Sequence, residues 1–135
     1  MASFVKFNSF VEALAEKVHN LGSDQLKIAL TNTDPTASAT NYAGLTSPLP
    51  TTNLSGATPF NVTTSSSSQT GGTYKLVCAD LTLTATGAVG PFRYVVLYND
   101  TAAADELIGY WDYGSSISLA NGETFTVDFD ASNGV

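Results

Sequence analysis

Phe10, Leu14, Val18 and Leu21 recur at spacings of four, four and three, which lines them up along one side of a helix. Ser9 and Glu12 open that run with the spacing of a capping box, in which the serine hydroxyl reaches a first-turn N–H and the carboxylate folds back to the serine amide. Gly22 stands where a left-handed residue would close the helix. The pattern therefore predicts a helix over about 10–21. Glu12 and Glu16 lie toward its positive end, and Lys17 and His19 toward its negative end, so the dipole agrees with the apolar spacing.

The period then changes. Leu26, Ile28 and Leu30 alternate with other residues in Gln25 to Thr31, the signature of a half-buried strand. From about 34 to 60 the chain carries Pro35, Pro48, Pro50 and Pro59 among Thr, Ser, Asn and Ala. Such a stretch exceeds the roughly 12 to 15 residues of an ordinary connection, and it reads as an extended arm. Its removal over 36–58 is expected to leave a folded domain. Residues 63–72, with four successive serines and a Gly-Gly end, read as a second flexible loop.

Residues 73–130 form the main β region. Val77, Ala79, Leu81, Leu83 and Ala85 share one face of a long predicted strand. Phe92 to Tyr98 is apolar on both faces except for Arg93, which predicts a central strand. Leu107 to Tyr113 and Ile117 to Leu119 are two further strands. Asn121-Gly122 signals a hairpin, and Phe125, Val127 and Phe129 alternate inward after it. The expectation is one mainly β domain over 1–135: an antiparallel, jelly-roll-like β-sandwich with one N-terminal helix and a long arm.

Composition narrows the function. The 135 residues suit a single core. The 18 Thr and 14 Ser outnumber 5 Lys+Arg and 12 Asp+Glu, so the surface is hydroxylic. A net charge of −7 with five cations argues against nucleic acid, whose binding draws on Lys and Arg displacing counterions, and against an anionic membrane surface. No apolar run approaches the ~20 residues of a spanning helix, and no secretory leader is evident. Cys78 is the only cysteine, which excludes an intrachain disulfide and a cysteine-based zinc site.

Candidate chemistry is sparse. His19 has no acidic residue at ligand spacing and no nucleophile motif around it, so a surface or helix-end role is expected. Cys78 reads as a small apolar filler. Asp128 and Asp130 share a strand face, and Asp105, Glu106 and Asp112 could lie near the same sheet, but no Asp-x-Asp-x-Asp loop supports calcium. Tyr110, Trp111 and Tyr113 raise a sugar-stacking platform as the second possibility to core packing. No catalytic residue, cofactor or metal is expected.

Two blocks carry a resemblance. Phe10-Val11-Glu12 through His19-Asn20-Leu21-Gly22-Ser23-Asp24-Gln25-Leu26-Lys27 is one. The other runs from Ser68-Gln69-Thr70-Gly71-Gly72 through Gly90-Pro91-Phe92-Arg93-Tyr94-Val95-Val96-Leu97-Tyr98-Asn99-Asp100-Thr101 and Leu107-Ile108-Gly109-Tyr110-Trp111-Asp112-Tyr113-Gly114 to Asn121-Gly122-Glu123-Thr124-Phe125. Together they resemble small virion proteins of tailed bacteriophages, of the head decoration or cement type. The resemblance implies a non-enzymatic protein made in the host bacterial cytoplasm and placed on the capsid exterior. It implies the major capsid protein lattice as partner, homotrimers as the assembly and no catalytic residues. A tail-associated structural or carbohydrate-binding module is the alternative. A charge-poor, Thr/Ser-rich surface suits burial among neighbours, because a hydroxyl costs less to desolvate than an ion. The arm then supplies Tyr42, Leu45, Leu49, Leu54 and Phe60, and the helix Phe10, as the expected capsid or subunit contacts.

Overall fold

The structure, a computed structural model, describes residues 3–135. It is mainly β with one helix, and every strand pairing among the described residues is antiparallel. The elements are β1 (Phe4–Lys6), α1 (Asn8–Ala15), β2 (Leu26–Thr31), a 3-10 turn (Tyr42–Gly44), β3 (Asn61–Val62), β4 (Thr64–Thr70), β5 (Thr73–Cys78), β6 (Leu81–Thr84), β7 (Val89–Asn99), β8 (Leu107–Leu119) and β9 (Thr124–Val127). A five-stranded sheet has the order β1-β8-β7-β2-β3, and β4-β5 and β6-β9 form two-stranded sheets.

The central position of β7 follows from its sequence. Val95 and Leu97 point into one apolar core, whereas Tyr94, Val96 and Tyr98 point into another. The first core is shared with side chains of β5, β6 and β9, including Leu76, Cys78, Leu83 and Val127. The second is closed by the segment read as an arm. Leu45 is buried there with Ala29, Tyr94, Val96 and Tyr98, and Ala39 and Tyr42 pack against it. The Thr31 hydroxyl donates to the Thr46 carbonyl at 2.7 Å, and the Leu49 amide donates to the Leu30 carbonyl at 2.8 Å. Strand β2 is therefore covered on both faces rather than half-buried.

Several sequence expectations are corrected. The helix begins and ends earlier than 10–21. Phe7 is its N-cap, with no side-chain cap bond, because the Phe7 ring is fully buried against Tyr110 and its amide is tied to the Ile108 carbonyl. Packing sets the start, and the Ser9/Glu12 box does not form. At the other end the Val18 amide bonds the Ala13 carbonyl at 2.9 Å and the Lys17 amide bonds that of Leu14 at 3.4 Å, with Lys17 at φ 69°. That is a Schellman closure with lysine, not Gly22, in the left-handed position.

The long strand predicted through Val77 to Ala85 is broken at Ala79-Asp80. The Phe129 amide donates to Asp80 Oδ1 at 2.9 Å, which turns the chain from one small sheet into the other. Leu76 and Cys78 are buried before the break, and Leu83 and Ala85 after it. The serine-rich loop is strand β4, hydrogen-bonded to β5 and exposed along most of its length.

The two strands expected over 107–119 are one, β8, interrupted by a bulge. Tyr94 pairs with Asp112 but Phe92 pairs with Ile117, so several β8 residues loop out around Gly114 at φ 82°. Asn121-Gly122 does form a turn, with Gly122 at φ 88°. It joins β8 to β9, which pairs with β6 rather than with β8. The turn carries the chain between sheets and makes no hairpin.

Candidate functional site

The acidic residues weighed as a cation site are dispersed. Asp112 Oδ1 accepts from Arg93 Nε at 2.7 Å and from the Gly114 amide at 2.7 Å, while Oδ2 accepts from Arg93 Nη2 at 3.0 Å. The fork bond from Arg93 and the Gly114 amide hold its carboxyl below the usual carboxylate range. This pair fastens the β8 bulge. Asp130 accepts from the amides of Ser132 and Asn133 and from Asn133 Nδ2, which lowers its pKa likewise. Asp128 and Asp130 do line one cleft, whereas Asp105 and Glu106 lie at the start of β8. Among the described residues no three His, Cys, Asp or Glu side chains gather in a group able to hold a metal ion.

The aromatic platform is split by strand alternation. Tyr110 is buried in the second core beside Phe7. Trp111 and Tyr113 face the first core, where Trp111 meets Phe4 and Phe129, and Tyr113 meets Phe125. A cleft of about 250 Å³ is lined by Trp111 and Tyr113 together with Thr126 and Asp128. Asp112 is not part of it.

Cys78 is buried, and burial pushes its thiol up to about 11. A group with almost no thiolate at neutral pH is no nucleophile. His19 departs from the surface role expected of it: it is buried and bonded to Asn99.

The expected contact residues fall into two groups. Leu45, Leu54 and Phe60 are buried within their own chain, so the arm spends them on the two cores. Phe10, Tyr42 and Leu49 are half-buried and pack against those cores. The large apolar groups that face solvent among the described residues are elsewhere: Val11 is 52% exposed, Tyr74 48%, Leu14 41% and Val5 37%. No residue of α1 is buried. Val11 and Leu14 stand three apart and so share a helix face, and Leu14 and Tyr74 together line a cleft of about 500 Å³ next to Lys17 and Asn20. Sequence periodicity placed Leu14 on the inward stripe. The signal against that reading is the early stop of the helix, which no sequence rule located.

No helix among the described residues is long and apolar enough to cross a membrane. Comparison with protein-family models, with curated proteins and with solved structures finds no match to this chain.

Proposed function

We propose that this chain is a non-enzymatic virion structural protein of a tailed bacteriophage, a decoration or cement protein that binds the outer capsid surface and bridges major capsid subunits as a homotrimer. Its scaffold on this reading is a β-sandwich, the five-stranded sheet facing the two small ones across the first core. The resemblance of the two sequence blocks motivates the proposal. The observation that carries it is the apolar face of Val11, Leu14 and Tyr74, left in water by a chain that buries Leu45, Leu54 and Phe60 for itself. Covering apolar surface contributes about 25 cal/mol per Å².

On this proposal the contact surface lies on α1 and β5. Leu14→Asp combined with Tyr74→Ser tests it by binding to capsids that lack the protein. Both side chains are exposed, so stability is expected to change by less than about 0.5 kcal/mol each. Binding is expected to fall at least tenfold, and undiminished binding by the double variant would remove this face from the proposal.

A second reading, a tail-associated carbohydrate-binding module, is favoured by one observation: the cleft beside Trp111 and Tyr113 that holds the Asp128 carboxylate. Aromatic faces and acceptor oxygens are what a sugar ring requires. A glycan array with the wild type and Asp128→Asn distinguishes the two, since a cement protein gives no sugar signal to lose.

A further inference from the structure

His19 is only 5% exposed, in the turn between α1 and β2. Its Nδ1 lies 3.0 Å from Asn99 Nδ2. Asn99 is itself fully buried, and its amide orientation is fixed by its other bonds. Asn99 Oδ1 accepts from the Thr101 amide at 2.9 Å and the Ala102 amide at 3.1 Å, and Nδ2 also donates to Asp24 Oδ2 at 2.7 Å. A flipped amide would set donor against donor at Thr101 and Ala102 and acceptor against carboxylate at Asp24. An amide nitrogen only donates, so His19 Nδ1 is the acceptor and the neutral ring carries its proton on Nε2.

The other side of the ring is unspent. His19 Nε2 and Glu106 Oε2 are both buried without a hydrogen-bond partner. The groups around the ring come from four elements. Phe10 of α1 packs its ring at 5.3 Å. Asp24 follows in the same turn, Glu106 precedes β8, and Lys17 and Tyr74 of β5 line the neighbouring cleft. Burial depresses the His19 pKa most, while Glu106 and then Asp24 pull it upward, and the balance is below the ordinary value.

We propose that His19 is an acid-sensitive latch between the α1–β2 turn and the 99–106 loop. A protonated ring has no acceptor. Nδ1–H then opposes the Asn99 amide hydrogens, Asn99 leaves its bridging position, and the two ring N–H groups turn toward Asp24 and Glu106. The Thr101 and Ala102 amides lose the oxygen that holds them, and the Gln25 amide, which donates to Thr101 Oγ1 at 2.8 Å, loses a fixed partner. The latch belongs to the chain alone and holds whichever surface the protein docks on. Its sign is set by the direction of the shift. A histidine whose folded pKa lies below the unfolded value of about 6.5 contributes stability that is complete above that value and is lost as pH falls through the folded pKa.

Ring ¹H–¹⁵N spectra and amide exchange, corrected for intrinsic rates, test this from pH 8 to pH 4. The expected results are the Nε2–H tautomer at pH 8 and a His19 midpoint below about 6.5. Protection at Thr101 and Ala102 should fall at least tenfold through that midpoint, with Val95 and Val96 unchanged. In His19→Gln the loss of protection should no longer depend on pH over that window. An Nδ1–H tautomer, a midpoint at or above the ordinary value, or constant protection at Thr101 and Ala102 would overturn the proposal. The wild-type titration decides the matter even where the variant does not fold.

Discussion

Replacing Leu45 by alanine separates an arm that is part of the domain from one that merely lies on it. Leu45 is 7% exposed and packs in the second core with Ala29, Tyr94, Val96 and Tyr98. Truncating a packed leucine to alanine costs about 2–5 kcal/mol, the spread depending on how far the site collapses. Leu45 closes this core from an irregular segment, which can settle inward more easily than a strand, so the lower part of that range applies, about 2–3 kcal/mol. Against a total stability of about 5–15 kcal/mol, the loss is large. It corresponds to a melting temperature lower by about 10 °C in a domain of this size. Urea unfolding followed by Trp111 fluorescence is the assay. The midpoint should fall while the slope stays constant, since the surface exposed on unfolding hardly changes. Val11→Ala, at an exposed site, should change the unfolding free energy by less than about 0.5 kcal/mol. A Leu45→Ala protein as stable as the wild type would show that the arm is not seated on the sheet, and the expectation that residues 36–58 are dispensable would return.

Other expected outcomes follow from single positions. Lys17→Gly should raise stability by about 0.5–1 kcal/mol, because a left-handed residue at φ 69° penalises a side chain that glycine lacks; urea unfolding measures it. Gly90→Ala should cost about 2 kcal/mol or more by the same method, since Gly90 has φ 114° and a Cβ there would sit 2.7 Å from the Ile117 carbonyl oxygen. Cys78 should resist iodoacetamide at pH 8 in the native state and react at a rate set by opening of the first core, so rapid labelling would contradict its burial.

Much of the fold is legible in the sequence, and the failures have physical causes. The Phe92–Tyr98 run announces a central strand because both of its faces are apolar, and β7 lies between β8 and β2. The helix boundaries differ from the local signals because packing overrides them: burial of Phe7 fixes the start, and Lys17 takes the left-handed position for which Gly22 is suited. The arm misled for a related reason. Leu45, Leu54 and Phe60 have no periodicity, so nothing in their spacing says that they return to their own sheets. The bulge in β8 is foreshadowed by Gly114 and by the possible Arg93–Asp112 pair, but their alignment depends on strand register. The His19 cluster joins residues 80 apart in sequence, beyond any local pattern. Its one readable trace is Asn99-Asp100-Thr101, where an asparagine side chain binds the amides that follow it.

On the proposed function, the chain acts through its surface on a capsid lattice. Cryo-electron microscopy of capsids lacking the protein, incubated with the purified chain, tests it most directly. The expected result is added density on the outer shell, three copies around each local threefold position, with Val11, Leu14 and Tyr74 turned toward the capsid. Bare capsids after incubation at saturating concentration would contradict it.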